Sequence, residues 1–158
     1  MNFYMKQRVF SWNDRFTIYD SNGQERFYVE GELFSWGKKL HLYDLLGNER
    51  IFISQKVLTF LPKYQINMDG HCIAEVRKEL TLFNPRYTVS GLDWSVYGDF
   101  FNHDYVIENG RREVARVSKQ WFTWGDTYEI SVAYDSDELT ALAVVLVIDA
   151  CVDAQERN

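Results

Sequence analysis

Apolar and polar residues alternate with period two along most of the chain, in short runs separated by Gly, Asp, Asn and Pro. Neighbouring residues of a strand face opposite sides of its sheet, so this pattern predicts many short strands with one dry face. Phe16/Ile18, Leu40/Leu42, Tyr64/Ile66/Met68, Tyr87/Val89, Tyr105/Ile107 and Tyr128/Ile130/Val132 supply that face. Thr17, His41, Gln65, Asn67, Thr88, Glu129 and Ser131 occupy the other, with Val106 an exception.

The strands belong to a repeat. Val9 to Asp20, carrying Phe10-Ser11-Trp12, aligns with Leu33 to Asp44, carrying Phe34-Ser35-Trp36, and returns as Trp121 to Ile130. Weaker copies lie around Leu58 to Ile66, Leu82 to Val89 and Phe101 to Ile107. The first apolar residue after each turn gives six anchors at near-regular spacing, Phe16, Leu40, Tyr64, Tyr87, Tyr105 and Tyr128. Each unit reads as strand, turn, strand and a second turn such as Asp20-Ser21-Asn22-Gly23, Met68-Asp69-Gly70 or Glu108-Asn109-Gly110. Asn-Gly and Asp-Gly between β-type runs mark hairpins, so the repeat predicts about twelve antiparallel strands between about residues 9 and 134.

After the last unit the pattern becomes a continuous apolar run, Leu139 to Val152, interrupted by Thr140 and Asp149. Its Val and Ile favour strand, but its length favours a helix, expected over about 136–154 with Asp135 or Ser136 as N-cap. A helix apolar on every side must be enclosed by protein or lipid, and the run falls short of the roughly 20 apolar residues that span a bilayer. A barrel of about twelve strands is wide enough to hold a helix about 10–12 Å across. The predicted fold is therefore mainly β: one domain over 1–158, a closed antiparallel barrel around a C-terminal helix.

Composition adds limits. The 158 residues, 46% of them hydrophobic, carry 23 acidic and 17 basic residues for a net charge of −6, which disfavours a nucleic-acid partner. Residues 1–8 lack the apolar run of a signal peptide, and Cys72 and Cys151 give no disulfide framework, so a cytoplasmic chain is expected. In an up-and-down barrel the two kinds of turn fall at opposite ends. Asp20, Glu25, Asp44, Glu49, Asp69, Glu108 and Asp135 gather at one rim, and Arg15, Lys38, Lys39, Lys63, Arg86 and His103 at the other.

Trp12, Trp36, Phe60, Phe83, Phe101 and Trp124 stand beside the basic turns. Cations next to amphipathic aromatics suit an anionic membrane surface, which makes Lys38, Lys39, Lys63 and Arg86 candidate headgroup contacts and Trp12, Trp36 and Trp124 candidate interfacial anchors. On a purely structural reading, the aromatics plug the barrel end over the helix terminus. No nucleophile elbow, phosphate loop, or Cys and His spacing for zinc is present, so no catalytic, cofactor or metal site is expected. His41, His71 and His103 read as solvated or hydrogen-bonding residues. Asp149 and Asp153 share a helix face and are expected near the open end, reached by solvent, Arg or Lys.

The strand repeat with its terminal apolar helix resembles the tubby C-terminal-like superfamily. The Phe-Ser-Trp segments, the Tyr-Asp-x-x-Gly turns and Trp124-Gly125-Asp126-Thr127-Tyr128-Glu129-Ile130 resemble its LURP-one-related group, in a small bacterial form. The resemblance covers about Val9 to Val152. It implies a non-catalytic binding module, since tubby-type domains bind phosphoinositide headgroups, scramblases are similar in fold, and plant LURP-one-related members are linked to defence responses. No headgroup ligand is carried over to a position here. The expectation is a cytoplasmic module contacting anionic lipid or a membrane surface through one rim. The alternative is a protein-interaction or structural scaffold without lipid binding, and an enzyme with a rim pocket comes third.

Overall fold

The computed structural model describes residues 1–6, 15–32, 36–120 and 127–157. Twelve strands follow one another: β1 Asn2–Lys6, β2 Phe16–Asp20, β3 Glu25–Gly31, β4 Lys39–Asp44, β5 Glu49–Gln55 and β6 Lys63–Met68 form the first half. β7 His71–Lys78, β8 Arg86–Ser90, β9 Trp94–Asp99, β10 Asp104–Asn109, β11 Arg112–Gln120 and β12 Thr127–Val132 form the second. Each strand pairs antiparallel with its sequence neighbours, and β1 pairs with β12 from Asn2↔Ser131 to Lys6↔Thr127, closing the barrel. The strands thus begin at Asn2, upstream of the expected start near residue 9, because Phe3 and Met5 alternate into the interior while Tyr4 faces out.

The dry face lies inside. Ile18, Leu42, Ile66, Val89, Ile107 and Ile130 are at most 1% exposed, whereas outward Thr17, Gln65, Thr88 and Glu129 remain partly exposed. Apolar within and polar without is the opposite sidedness to a barrel whose outer wall meets lipid.

The barrel encloses α1, Glu138–Glu156, whose residues from Thr140 to Asp153 are all buried. Tertiary burial overrides the strand preference of Val144, Val145, Val147 and Ile148, since each fully buried aliphatic side chain contributes about 1.5–3 kcal/mol. The helix starts and ends two residues later than expected, and neither Asp135 nor Ser136 caps it. The chain reverses from β12 into the barrel through a single 3-10 turn, Asp135–Asp137, with no side-chain cap. The Asp137 carboxylate instead accepts from Arg112 Nη2 at 3.2 Å. No helix among the described residues is long and apolar enough to cross a membrane.

The Asp-x-x-Gly end is made of tight turns with a local cause. Asp20 Oδ1 accepts from Asn22 N and Gln24 N at 2.9 and 3.0 Å, and Asp44 Oδ1 accepts from Leu46 N and Asn48 N at 3.0 and 2.9 Å. Gly23 and Gly47 follow in the left-handed region, and the register shifts by one residue beside each turn. The motif is thus a self-capped turn with a bulge.

Candidate functional site

The other end of the barrel receives the C-terminus of α1, and there four repeat anchors are tyrosines. Tyr64, Tyr87, Tyr105 and Tyr128 are each 2% exposed and lie around the helix's last buried polar residues, Asp149, Cys151 and Asp153. The Tyr128 hydroxyl donates to Asp149 Oδ2, and His103 Nε2 lies 3.4 Å from Asp149 Oδ1 with its ring stacked 4.3 Å from that of Tyr128. Burial, then the Asp149 carboxylate, pushes the Tyr105 and Tyr128 hydroxyls far up, so both stay protonated. Burial also lifts the Cys151 thiol to about 11, partly offset by Tyr87 and Lys38, leaving it unreactive at neutral pH.

Lys38 completes this layer. Its ammonium donates to the Ala150 carbonyl at 3.2 Å, at the negative end of the helix dipole. Burial lowers its pKa, and Asp153 pulls it back towards the charged form. Phe100, edge-on to Tyr87 and tilted on Tyr105 at 5.0 and 5.1 Å, seals the remaining space. Backbones are close here too: a Cβ on Gly98, at φ +140, would stand 2.6 Å from both Asp104 O and Tyr105 Cα.

Because this layer fills the barrel end, the loops above it have nothing to plug. Trp36 between β3 and β4, Leu58 and Phe60 between β5 and β6, and Leu80, Leu82 and Phe83 between β7 and β8 are 76–94% exposed. These three connections alternate around one rim and form an apolar crown. They are fixed at their bases. Gln55 N donates to Lys38 O at 2.8 Å, Lys38 N to Gln55 Oε1 at 3.0 Å and Lys78 N to Pro62 O at 3.1 Å. A Cβ on Gly37 would reach within 2.8 Å of Val57 Cγ1, so only glycine lets these two loops close on each other.

Lys38, Lys39, Lys63 and Arg86 do share the crown end, but each already has a protein partner. Lys39 lies 3.7 Å from Glu32, Lys63 3.7 Å from Glu75, and the Arg86 guanidinium 5.9 Å over the Tyr97 ring. Trp36 points outwards, while Trp12 and Trp124 lie outside the described residues. Two expectations are corrected. Trp36, Phe60, Phe83 and Phe101 do not plug the barrel end, since Phe100 and the tyrosines occupy it. Asp149 is reached by a tyrosine and a histidine instead of by solvent, Arg or Lys; of the two readings given for His103, the buried, polar-partnered one holds, at 5% exposure against Asp149. Asp153, 8% exposed, has Arg157 Nε at 3.3 Å.

His41 bonds both Glu32 and Glu49 on the outer wall, and His71 and Cys72 are exposed. Among the described residues no group of three His, Cys, Asp or Glu is placed to hold a metal. Sequence reasoning missed Leu58, Leu80 and Leu82 as surface features. Their signal is a lapse of the alternation inside segments too short for another strand.

The chain has counterparts among known sequences and structures. The LURP-one-related family profile matches residues 1–149. The chain belongs to this family. It is 38% identical over 146 residues to the uncharacterised Bacillus subtilis (strain 168) protein YxjI, covering 92% of this chain and 90% of that one. An X-ray structure of an Arabidopsis thaliana protein matches with a TM-score of 0.63 at 17% identity, over 94% of this chain and 91% of the other, a likeness of fold. Within this LURP-one-related domain, the described residues from the first strand to Asp149 of α1 fall inside the matched range.

Proposed function

We propose that this LURP-one-related domain is a non-catalytic binding module that docks on a membrane surface through the crown, as a cytoplasmic protein peripheral to the bilayer. One observation carries the reading: six large apolar side chains, 76–94% exposed, stand on three neighbouring loops of one rim. An isolated exposed leucine needs no explanation, whereas a contiguous group on one end marks an interaction surface.

Strain points the same way. Leu58 has φ +62, a left-handed conformation that costs a non-glycine residue about 1–3 kcal/mol and is retained only where the surroundings impose it. The turn thereby aims a bare leucine at solvent. Aromatic and aliphatic tips above a belt of Lys and Arg suit the boundary between headgroups and acyl chains. The buried Tyr-Asp-His layer, sealed from solvent with a protonated thiol, favours a binding role over chemistry.

The test is co-sedimentation with phospholipid vesicles of mixed composition. The native chain is expected in the pellet, and a variant with Leu58→Ser, Phe60→Ser, Leu82→Ser and Phe83→Ser in the supernatant with an unchanged thermal melt. Recovery of the native chain in the supernatant with every vesicle composition removes the reading.

A further inference from the structure

The connections at the two ends of the barrel carry opposite charge. Taken from the last residue of one strand to the first of the next, the three crown loops span 31–39, 55–63 and 78–86. They hold six basic side chains, Lys38, Lys39, Lys56, Lys63, Lys78 and Arg86, against Glu32 and Glu79. The six connections at the other end, bounded in the same way up to the start of α1, hold nine acidic side chains against Arg111 and Arg112. The crown rim is not basic all round, since Asp99 and Asp104 bound the β9–β10 connection and α1 finishes near Asp153, Glu156 and Arg157. The surplus belongs to the arc that carries the apolar tips.

Internal pairing leaves that surplus in place. Lys56 and Lys63 lie 3.1 and 3.7 Å from the single carboxylate of Glu75, Lys39 lies 3.7 Å from Glu32, and Arg77 lies 3.8 Å from Glu79. Lys38 rests on the Ala150 carbonyl and Arg86 over the Tyr97 ring, partners that remove no charge. Three carboxylates thus face six cations. The side chains of Lys56, Lys63 and Arg77 are 30–49% exposed, and ion pairs this open to water are weak enough to exchange partners with an arriving anion.

The distance between the ends decides what a charged surface feels. α1 runs from the acidic end to the crown over 19 residues, about 28 Å. The Debye length is about 10 Å at 0.1 M salt and about 30 Å at 0.01 M. At the higher of these an anionic surface against the crown meets the basic arc and is screened from the acidic end. At the lower it meets both, and the chain's net charge of −6 opposes approach. We infer that the crown docks on anionic bilayers in particular, its basic arc reading headgroup charge at short range while the acidic end turns the molecule crown-first and repels at long range. This rests on the membrane-docking reading and names the ligand chemistry of that same surface.

Equilibrium binding of the whole chain to large vesicles of phosphatidylcholine, with and without about one third phosphatidylserine, tests it at salt of about 0.01, 0.1 and 1 M. The ratio of the two affinities is read at each salt, because the apolar contribution common to both vesicles cancels in it. This gain from phosphatidylserine is expected to reach at least about tenfold at the middle salt and to fall below about threefold at the other two, where long-range repulsion or screening removes it. Lys56→Gln with Lys63→Gln should cut the gain at the middle salt by at least about fivefold and leave binding to the neutral vesicles as before. Asp69→Asn with Asp93→Asn, both at positive φ that asparagine accepts, should raise the gain at the lowest salt and leave it unchanged at the middle one. A gain near unity at the middle salt, or one that is greatest at the lowest, overturns the inference and leaves docking on neutral vesicles standing. Absence of binding to either vesicle at every salt overturns both readings.

Discussion

The two ends of the barrel are made from the same repeat and solve opposite problems. At the Asp-x-x-Gly end the β2–β3 and β4–β5 connections satisfy themselves: a carboxylate caps two backbone N–H groups and a glycine takes the left-handed turn. At the crown end the connections are longer, their polar backbone is tied down at the base, and their apolar tips are left outside. The helix accentuates the contrast, because it enters dry and leaves through a layer of Asp149, Cys151 and Asp153 that the surrounding tyrosines and Lys38 must satisfy. The first end satisfies the backbone of its Asp20 and Asp44 turns locally, although Leu46 stands 88% exposed there. An end that leaves its apolar tips bare is a surface for something else.

Moving a charge from the polar layer into the dry middle should give the largest effect. Val145→Asp places a carboxylate one helical turn before Asp149, without a tyrosine or histidine to meet it. It should cost more than about 4 kcal/mol or prevent folding, measured by chemical denaturation. Tolerance of this change would mean that water reaches the barrel interior. Next come the glycines of the two ends. Gly98→Ala should destabilise by about 1–3 kcal/mol or more through collision with Asp104 and Tyr105, and Gly110→Ala, with open space around it, by about 1 kcal/mol from its positive φ alone. Equal losses would dissolve the distinction between a packed end and an open one.

Asp149→Ala strands the Tyr128 hydroxyl and His103 without their acceptor and should cost about 1–3 kcal/mol in denaturant midpoint. An unchanged midpoint would mean that the polar layer holds nothing in place.

Two groups on the Asp-x-x-Gly side and the outer wall make opposite contributions with pH. Burial alone would lower the His41 pKa, but hydrogen bonds and charge from Glu49 and Glu32 together raise it. Its contribution is therefore full below the unfolded histidine value of about 6.5 and fades as pH rises through the higher folded value. His41→Ala should destabilise more in mildly acidic than in alkaline buffer. Asp44 is held below the usual carboxylate range, chiefly by the Asn48 N–H, so its contribution is present above the unfolded value and fades as pH falls through the folded one. Asp44→Asn should lose most near neutrality and little in acid, so identical pH profiles for the two variants would refute these assignments.

The smallest effect on stability belongs to the crown. Leu58→Ser with Phe60→Ser should move the folding free energy by no more than about 0.5 kcal/mol while removing vesicle binding. A large loss of stability would place these side chains in the core.

The alternation of Phe16/Ile18 through Tyr128/Ile130 was enough to place the inner face, since period two leaves no freedom in which side a residue takes. The apolar run after Leu139 was equally legible, because no solvated surface accepts a helix apolar all round. The first strand was missed because the repeat's motif begins at Val9 and residues 2–6 carry no turn signal of their own. For His103 the sequence left open whether it is solvated or hydrogen-bonding, because its partner Asp149 is brought beneath it from far along the chain.

The sequence by itself determined a closed sheet and the sorting of basic and acidic turns to opposite ends, both being consequences of local periodicity and turn chemistry. Only the tertiary structure decided which charges are spent on each other, which aromatic closes the barrel and which leucines face water. Those outcomes depend on distances between residues remote in sequence, Lys38 to Ala150 and His103 to Asp149 among them, and no local pattern encodes a distance across a barrel.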